Sequence, residues 1–244
     1  MADFRAKARS GAPLCGTFIA TPHPVSAEVT ARAGFDFVCI DCEHSQIGRG
    51  GIEDLVRACE VGGTAAMIRV PANTPEAVNA ALDAGAVGVL VPRVSTAAQA
   101  RAAVAATRYP PEGERGAGPG RASRYGTDIA NYIASANARI VLAVQVETAT
   151  AVENIEEIAR VEGVDVVFIG PGDLAVSLGA FGPAGHEVLM VAGRTVGIFR
   201  PTVDDLAAWR DRGCSFNIVA SDTMFLGAAL SAAAKQVIVP ASED

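Results

Sequence analysis

Short runs rich in Val, Ile, Leu and Ala recur along the chain, and almost every one is followed by an Ala-rich stretch with helical spacing. The strand candidates are Leu14–Ile19, Phe35–Asp41, Ala65–Val70, Gly88–Val91, Ile140–Val146, Asp165–Ile169, Thr195–Phe199 and Phe216–Val219. Helix candidates fill Val25–Ala33, Gly51–Val61, Pro75–Ala84, Thr96–Thr107, Ala149–Val161, Val203–Arg212 and Asp222–Lys235. Eight strands separated by helices in 244 residues is the pattern of an α/β chain folded as a (β/α)8 TIM barrel, and the spacing predicts one such domain over residues 1–244. An open doubly wound sheet fits less well, because no Gly-x-Gly-x-x-Gly turn follows the first strand. Gly34, Gly63, Gly163 and Gly213 stand where helices should end and turn toward the next strand.

One segment breaks the rhythm. Residues 108–138 form an inserted loop with a helix-like tail before strand 5, and loops of that length are usually functional or mobile. Its Gly116-Ala-Gly118-Pro-Gly120 run is not a dinucleotide fingerprint, since Arg occupies position 121 and no strand precedes it. An anion site, a subunit contact and a solvated loop all stay open.

Composition narrows the partners. Hydrophobic residues make up 50% and charged residues 19%, ample for a packed core. A net charge of -7 disfavours nucleic acid and anionic membrane, which need a basic footprint. No apolar run reaches spanning length and residues 1–13 hold no signal-peptide core, so a soluble cytoplasmic protein is expected. The five cysteines are odd in number and scattered. Cys39-Ile-Asp-Cys42 has C-x-x-C spacing, but residues three apart on a strand point to opposite faces, and buried thiols are the expected reading. Only two lysines, Lys7 and Lys235, stand against 18 arginines. Neither sits at a strand end, where a Schiff-base lysine is needed.

The strand exits carry the chemistry. In a parallel barrel the C-terminal ends of the strands converge on one rim, where catalytic residues collect. The second strand ends Asp41-Cys-Glu-His44, the third at Arg69, the fifth Gln145-Val-Glu147, the sixth Gly170-Pro-Gly-Asp173. Glu147 and Asp173, on neighbouring strands, are candidate ligands of Mg²⁺ or Mn²⁺, which prefer hard oxygen donors; the plainer reading is two polar residues at strand exits. Histidine titrates near neutrality, so His44 among these acids suits general-base work. Arg69 is either a salt-bridge partner of Asp41 or Glu43, or a fixed positive charge facing a developing enolate oxygen or a substrate carboxylate. The turns after strands seven and eight lack the glycines of barrel phosphate sites, which favours small keto acids over phosphate substrates.

Asp41-x-Glu-His44, Val-Pro71 after Arg69, Leu82-Asp83-Ala-Gly85, Arg108-Tyr-Pro-Pro-x-Gly-x-Arg115-Gly116, Gln145-x-Glu147-Thr and Ile-Gly-Pro-x-Asp173-Leu, in that order, resemble the HpcH/HpaI aldolase family of metal-dependent class II pyruvate aldolases. That family includes 4-hydroxy-2-oxoheptanedioate aldolase and 2-keto-3-deoxy sugar-acid aldolases. The resemblance implies a carbon–carbon lyase cleaving a 4-hydroxy-2-keto acid to pyruvate, or a close 2-keto acid, and an aldehyde. It implies a divalent cation (Mg²⁺, Mn²⁺ or Co²⁺) on Glu147 and Asp173, with Gln145 orienting a water beside it. It further implies that Arg69 binds the keto or enolate oxygen and that the Gly172 and Asp173 amides hold the substrate carboxylate. His44, paired with Asp83, would move the proton, with Asp41 behind it. A homohexamer with the last helix exchanged between paired subunits is implied as well. Two alternatives remain: a citryl- or malyl-CoA lyase-like enzyme, and a non-catalytic barrel that binds a keto acid. The chain departs from the pattern after His186, where only Glu-Val-Leu-Met-Val-Ala precedes Gly193, roughly ten residues short of a crossover helix. Helix 6 is therefore expected to be truncated, or a segment to be missing.

Overall fold

The computed structural model describes residues 4–179 and 194–237. Its strands are β1 (Leu14–Ile19), β2 (Phe37–Asp41), β3 (Ala65–Arg69), β4 (Gly88–Val91), β5 (Val141–Val146), β6 (Val166–Ile169), β7 (Thr195–Arg200) and β8 (Cys214–Ser221). All neighbours pair in parallel, and β8 closes on β1. This is the (β/α)8 barrel that the strand spacing predicts.

Every residue of β2, β3, β4, β5 and β6 is buried, as parallel strands covered on both faces must be. The period of two sorts their side chains into two cores. Phe37, Cys39, Ala65, Met67, Val141, Ala143, Val166 and Phe168 fill the barrel interior. Val38, Ile40, Ala66, Ile68, Leu142 and Val144 pack outward against the helices. Gly16 on β1 makes the interior fit, because a Cβ there would lie 2.6 Å from the Phe37 ring.

The surrounding helices are α2 (Pro24–Ala31), α3 (Arg49–Gly62), α4 (Pro75–Asp83), α5 (Ala97–Thr107), α9 (Pro171–Ser177), α10 (Leu206–Asp211) and α11 (Asp222–Val237), with α6 (Ile129–Arg139) forming the tail of the insertion. Thr74 and Thr96 start α4 and α5 by accepting the amides of Ala77 and Gln99, which satisfies a donor that the first turn leaves free. Gly63 ends α3 at φ 85°, a left-handed conformation that glycine adopts without a Cβ clash.

Three expectations need correction or limits. The single helix expected over Ala149–Val161 is two, α7 (Ala149–Glu153) and α8 (Ile155–Arg160). They break at Asn154, whose side chain donates to the Ser95 carbonyl at 2.9 Å and whose backbone lies at φ -98°, ψ 9°. The lead before β1, for which no helix is expected above, forms α1 (Phe4–Arg9). That helix closes the N-terminal mouth of the barrel with Phe4, whose ring lies 5.6 Å from Phe37 and 6.5 Å from Phe216. The truncation expected around His186 lies outside the described residues. No helix among the described residues is long and apolar enough to cross a membrane.

Asp222, at the start of α11, ties β8 to the turn after β1. Its carboxylate accepts the amides of Ala20 (2.8 Å) and Thr21 (3.2 Å) and the Ser26 hydroxyl (2.6 Å). Burial pushes its carboxyl up, but the Ser26 and backbone hydrogen bonds overcome this and hold it below the usual range. A depressed carboxyl stabilises the fold above its unfolded-state value, and that contribution fades as pH falls through the folded value. Asp222→Ala should cost roughly 1.5–3 kcal/mol in urea unfolding at neutral pH, and its gap to the parent should shrink below about pH 4.

Candidate active site

The alternation that fills the barrel interior continues past its last apolar layer. Phe37 and Cys39 lead inward to Asp41, Ala65 and Met67 to Arg69, Val141 and Ala143 to Gln145 and Glu147, and Val166 and Phe168 to Gly170. The same side of each strand that packs the core therefore delivers polar groups at the C-terminal rim. Of these, Asp41, Arg69, Gln145 and Gly170 border a cavity of about 320 Å³ whose lining also includes Phe18, Gly172, Asp173 and Phe199.

Arg69 and Asp41 form a buried bidentate pair, with Nε to Oδ1 at 2.9 Å and Nη2 to Oδ2 at 2.6 Å. Asp41 Oδ1 also accepts the amides of Glu43 and His44. Burial pushes the Asp41 carboxyl up, but Arg69 and these amides hold it below the ordinary carboxylate range. With two nitrogens committed to Asp41, Arg69 turns Nη1 toward Glu43 Oε2 at 3.5 Å, and its guanidinium lies 4.4 Å from the centre of the Phe18 ring. The salt-bridge and fixed-charge readings of Arg69 are thus compatible, since the pair with Asp41 is what holds the cation in place.

Glu147 is held from two sides. Oε1 accepts the Arg93 amide at 2.8 Å and Oε2 accepts from Gln145 Nε2. Burial raises its carboxyl; the Arg93 amide opposes this, and the charges of Glu43 and Asp173 add to the rise. Glu43 is likewise raised, first by burial, with Asp41 and Asp173 contributing against Arg69 and His44. Glu147 thus feels the charges of Glu43 and Asp173 across the rim, and Glu43 feels that of Asp173. Glu43 Oε2 and Gln145 Oε1 are buried with no hydrogen-bond donor among the described residues.

Such a set fits a hard divalent cation. Like charges gathered in a half-buried cleft repel unless a cation lies among them, and unpaired oxygens are what it would coordinate. Among the described residues no three His, Cys, Asp or Glu side chains close on a single point. Two carboxylates with open positions left over suit Mg²⁺, which keeps waters and binds through one or two carboxylates.

The structure does not bring every sequence-predicted residue to this rim. His44 borders the cavity, half-exposed, with Nε2 3.7 Å from Glu43 Oε2. Asp83 does not meet it within the chain. It ends α4, and helices of a barrel run back toward the N-terminal rim; there its Oδ1 accepts from Arg115 Nη2 at 2.8 Å. Within one chain, Glu43 rather than Asp83 is the acid beside His44. Cys39 and Cys42 point to opposite sides of β2, and all five cysteines are free; burial pushes the Cys42 thiol up to about 12.

Three contributors escaped the sequence reading. Glu43 stood in the Asp-x-Glu-His motif but was weighed only as a partner of Arg69. Arg93 acts through its amide in a left-handed turn at φ 56°, and no glycine or asparagine marks that turn. Gly170 closes the floor, where a Cβ would sit 2.7 Å from Glu147 Oε2 and 2.8 Å from Gln145 Nε2. Gly170→Ala should leave the fold intact by circular dichroism while displacing both side chains, and a shift of that size can cost about 100-fold in turnover.

Comparison with known proteins decides the family. Residues 14–237 match the model of the HpcH/HpaI aldolase/citrate lyase family. The chain belongs to that family. It is 45% identical over 188 residues to the 4-hydroxy-2-oxovalerate aldolase of Novosphingobium aromaticivorans, covering 77% of this chain and 71% of that one. It is 40% identical over 226 residues to the 2-dehydro-3,6-dideoxy-6-sulfogluconate aldolase of Pseudomonas putida, covering 88% of both. The crystal structure of an HpcH/HpaI aldolase/citrate lyase family protein from Burkholderia cenocepacia J2315 superposes with a TM-score of 0.91 at 35% identity, over 97% of this chain and 99% of that one. The family places this chain among lyases, and the named relatives are aldolases whose names describe keto acids.

Proposed function

We propose that the protein is a class II aldolase that reversibly cleaves a 4-hydroxy-2-keto acid to pyruvate, or a close 2-keto acid, and an aldehyde. The observation that carries this reading is the fixed Arg69–Asp41 fork at one small cavity with Gln145 and Asp173, and Glu147 held beside Gln145.

The substrate carboxylate lies against the Gly172 and Asp173 amides in the first turn of α9, where backbone donors lack intrahelical partners. Arg69 Nη1 faces the C2 oxygen. His44, steadied by Glu43 and with Asp41 behind it, takes the C4 hydroxyl proton. The C3–C4 bond then breaks, the aldehyde carbonyl forms at C4, and the electron pair left on C3 delocalises onto the C2 oxygen. Arg69 is already oriented for that charge, so no reorganisation is needed as it develops. Return of the proton to C3 gives the 2-keto acid. A Mg²⁺, Mn²⁺ or Co²⁺ ion held by Glu147 and Asp173 would supply Lewis-acid stabilisation of the same oxygen.

Lysine chemistry has no support at this rim: Lys7 lies on α1, Lys235 on α11, and neither borders the cavity. A CoA-ester lyase reading is weaker, because Arg108 and Arg115 are buried and Arg121 is paired with Glu60, leaving little basic surface for CoA phosphates. Free cysteines throughout support a reducing, cytoplasmic setting. The side chains of α11 are unburied, Leu226 and Leu230 among them, which supports a homo-oligomer such as a hexamer. The reading is tested by supplying 4-hydroxy-2-keto acids with Mg²⁺, Mn²⁺ or Co²⁺ and coupling product to lactate dehydrogenase. Pyruvate release lost with EDTA and restored by metal supports it; release unaffected by EDTA contradicts it.

A further inference from the structure

The opposite end of the barrel carries a second polar cavity, of about 690 Å³, between α1, the start of the insertion and the entry to β6. Four arginines border it, Arg5, Arg9, Arg108 and Arg194, against three acids, Glu112, Glu162 and Asp165. An excess of cations is unexpected in a chain of net charge -7.

The partners within the cavity are unevenly shared. Asp165, 2% exposed, takes Arg5 at 3.0 Å, Arg108 at 3.4 Å and Arg9 at 3.8 Å, and also accepts the Leu142 amide at 3.0 Å. One carboxylate therefore serves three guanidinium groups. Arg194 donates only to backbone carbonyls, Ala159 at 2.7 Å and Val161 at 3.3 Å, and meets no carboxylate among the described residues. Arg108 is 1% exposed, yet its Nη1 has no acceptor among the described residues. A buried donor left without a partner is costly, the more so on a cation. Burial, with the Arg5 charge adding, pushes this guanidinium down to about 10 against the pull of Asp165.

We propose that this cavity binds the phosphoryl group of a small molecule, with Arg9 and Arg194 as its cationic ligands and the buried Arg108 cation behind them. Guanidinium groups present planar forks that match phosphate oxygens, and the cavity volume lies within the range of small-molecule sites. The site is separate from the proposed active site, which lies at the other end of β6, and does not depend on that reading.

Isothermal titration of the full chain, with Mg²⁺ present and sodium chloride at physiological strength, tests the proposal. Inorganic phosphate and glycerol 3-phosphate are the two probes. Saturable one-site binding is expected. Tighter binding of the monoester identifies a phosphorylated metabolite, and equal binding identifies free phosphate; either outcome supports the site. Neither Arg9 nor Arg194 is buried, so the double variant Arg9→Gln/Arg194→Gln should fold, and it should weaken binding by about tenfold or more. Arg69→Ala should leave binding unchanged. No saturable binding of either probe, or binding lost in Arg69→Ala and kept in the double variant, overturns the proposal.

Discussion

Glu147→Gln is expected to weaken Mn²⁺ binding by about 100-fold or more and to lower turnover by about 10³-fold. Glutamine keeps the volume and still offers an oxygen to the Arg93 amide, so the turn after β4 should keep its shape. What disappears is one of the negative charges gathered at the rim, where burial and the charges of Glu43 and Asp173 raise the Glu147 carboxyl. Removing a crowded like charge relieves repulsion in the metal-free protein, so its thermal midpoint should stay level or rise. Added Mn²⁺ should stabilise the parent, as a ligand that binds the folded state alone does, and that increment should vanish in the variant. A merely structural Glu147 would give the reverse pattern, with lower intrinsic stability and an unchanged response to metal. Calorimetry with and without Mn²⁺ separates the two.

Arg69→Ala should lower kcat by about 10²–10³-fold, the usual effect of losing one preorganised donor to a developing oxyanion, with a smaller change in KM. It should also destabilise the fold by about 3–5 kcal/mol, because it leaves the buried Asp41 carboxylate without its countercharge. The two effects can be separated. Arg69→Lys restores a positive charge but not the fork, so it should recover part of the stability and little of the turnover. With Arg69 gone, the Asp41 carboxyl loses the group that holds it low. Stability of the Ala variant should then fall more steeply than the parent's as pH rises through the new, higher Asp41 value. Equal losses in kcat and stability for Lys and Ala would argue that Arg69 serves packing only.

Much of this rim was legible before any coordinates because strands alternate. Once Phe37 and Cys39 are placed inside the barrel, Asp41 must follow them, and Val141 and Ala143 lead in the same way to Gln145 and Glu147. The same rule sends Cys39 and Cys42 to opposite sides, as observed. Legibility fails where function resides in backbone or in chain reversal. The Arg93 amide has no side-chain signature, and Gly170 resembles any glycine at a strand exit. Asp83 shows a different failure. Its motif places it near His44 in the order of the chain, but α4 carries it back to the far rim, where Arg115 takes it. The break at Asn154 was hidden because both halves of Ala149–Val161 keep helical spacing, and only the contact to Ser95 interrupts them.

The central claim is that Glu147 and Asp173 together hold a divalent cation at the C-terminal rim. The most direct measurement is an anomalous difference map from crystals grown with Mn²⁺. The account predicts its strongest peak between the Glu147 and Asp173 carboxylates, beside Gln145. A strongest peak elsewhere on the molecule, with those two carboxylates turned apart, would contradict it.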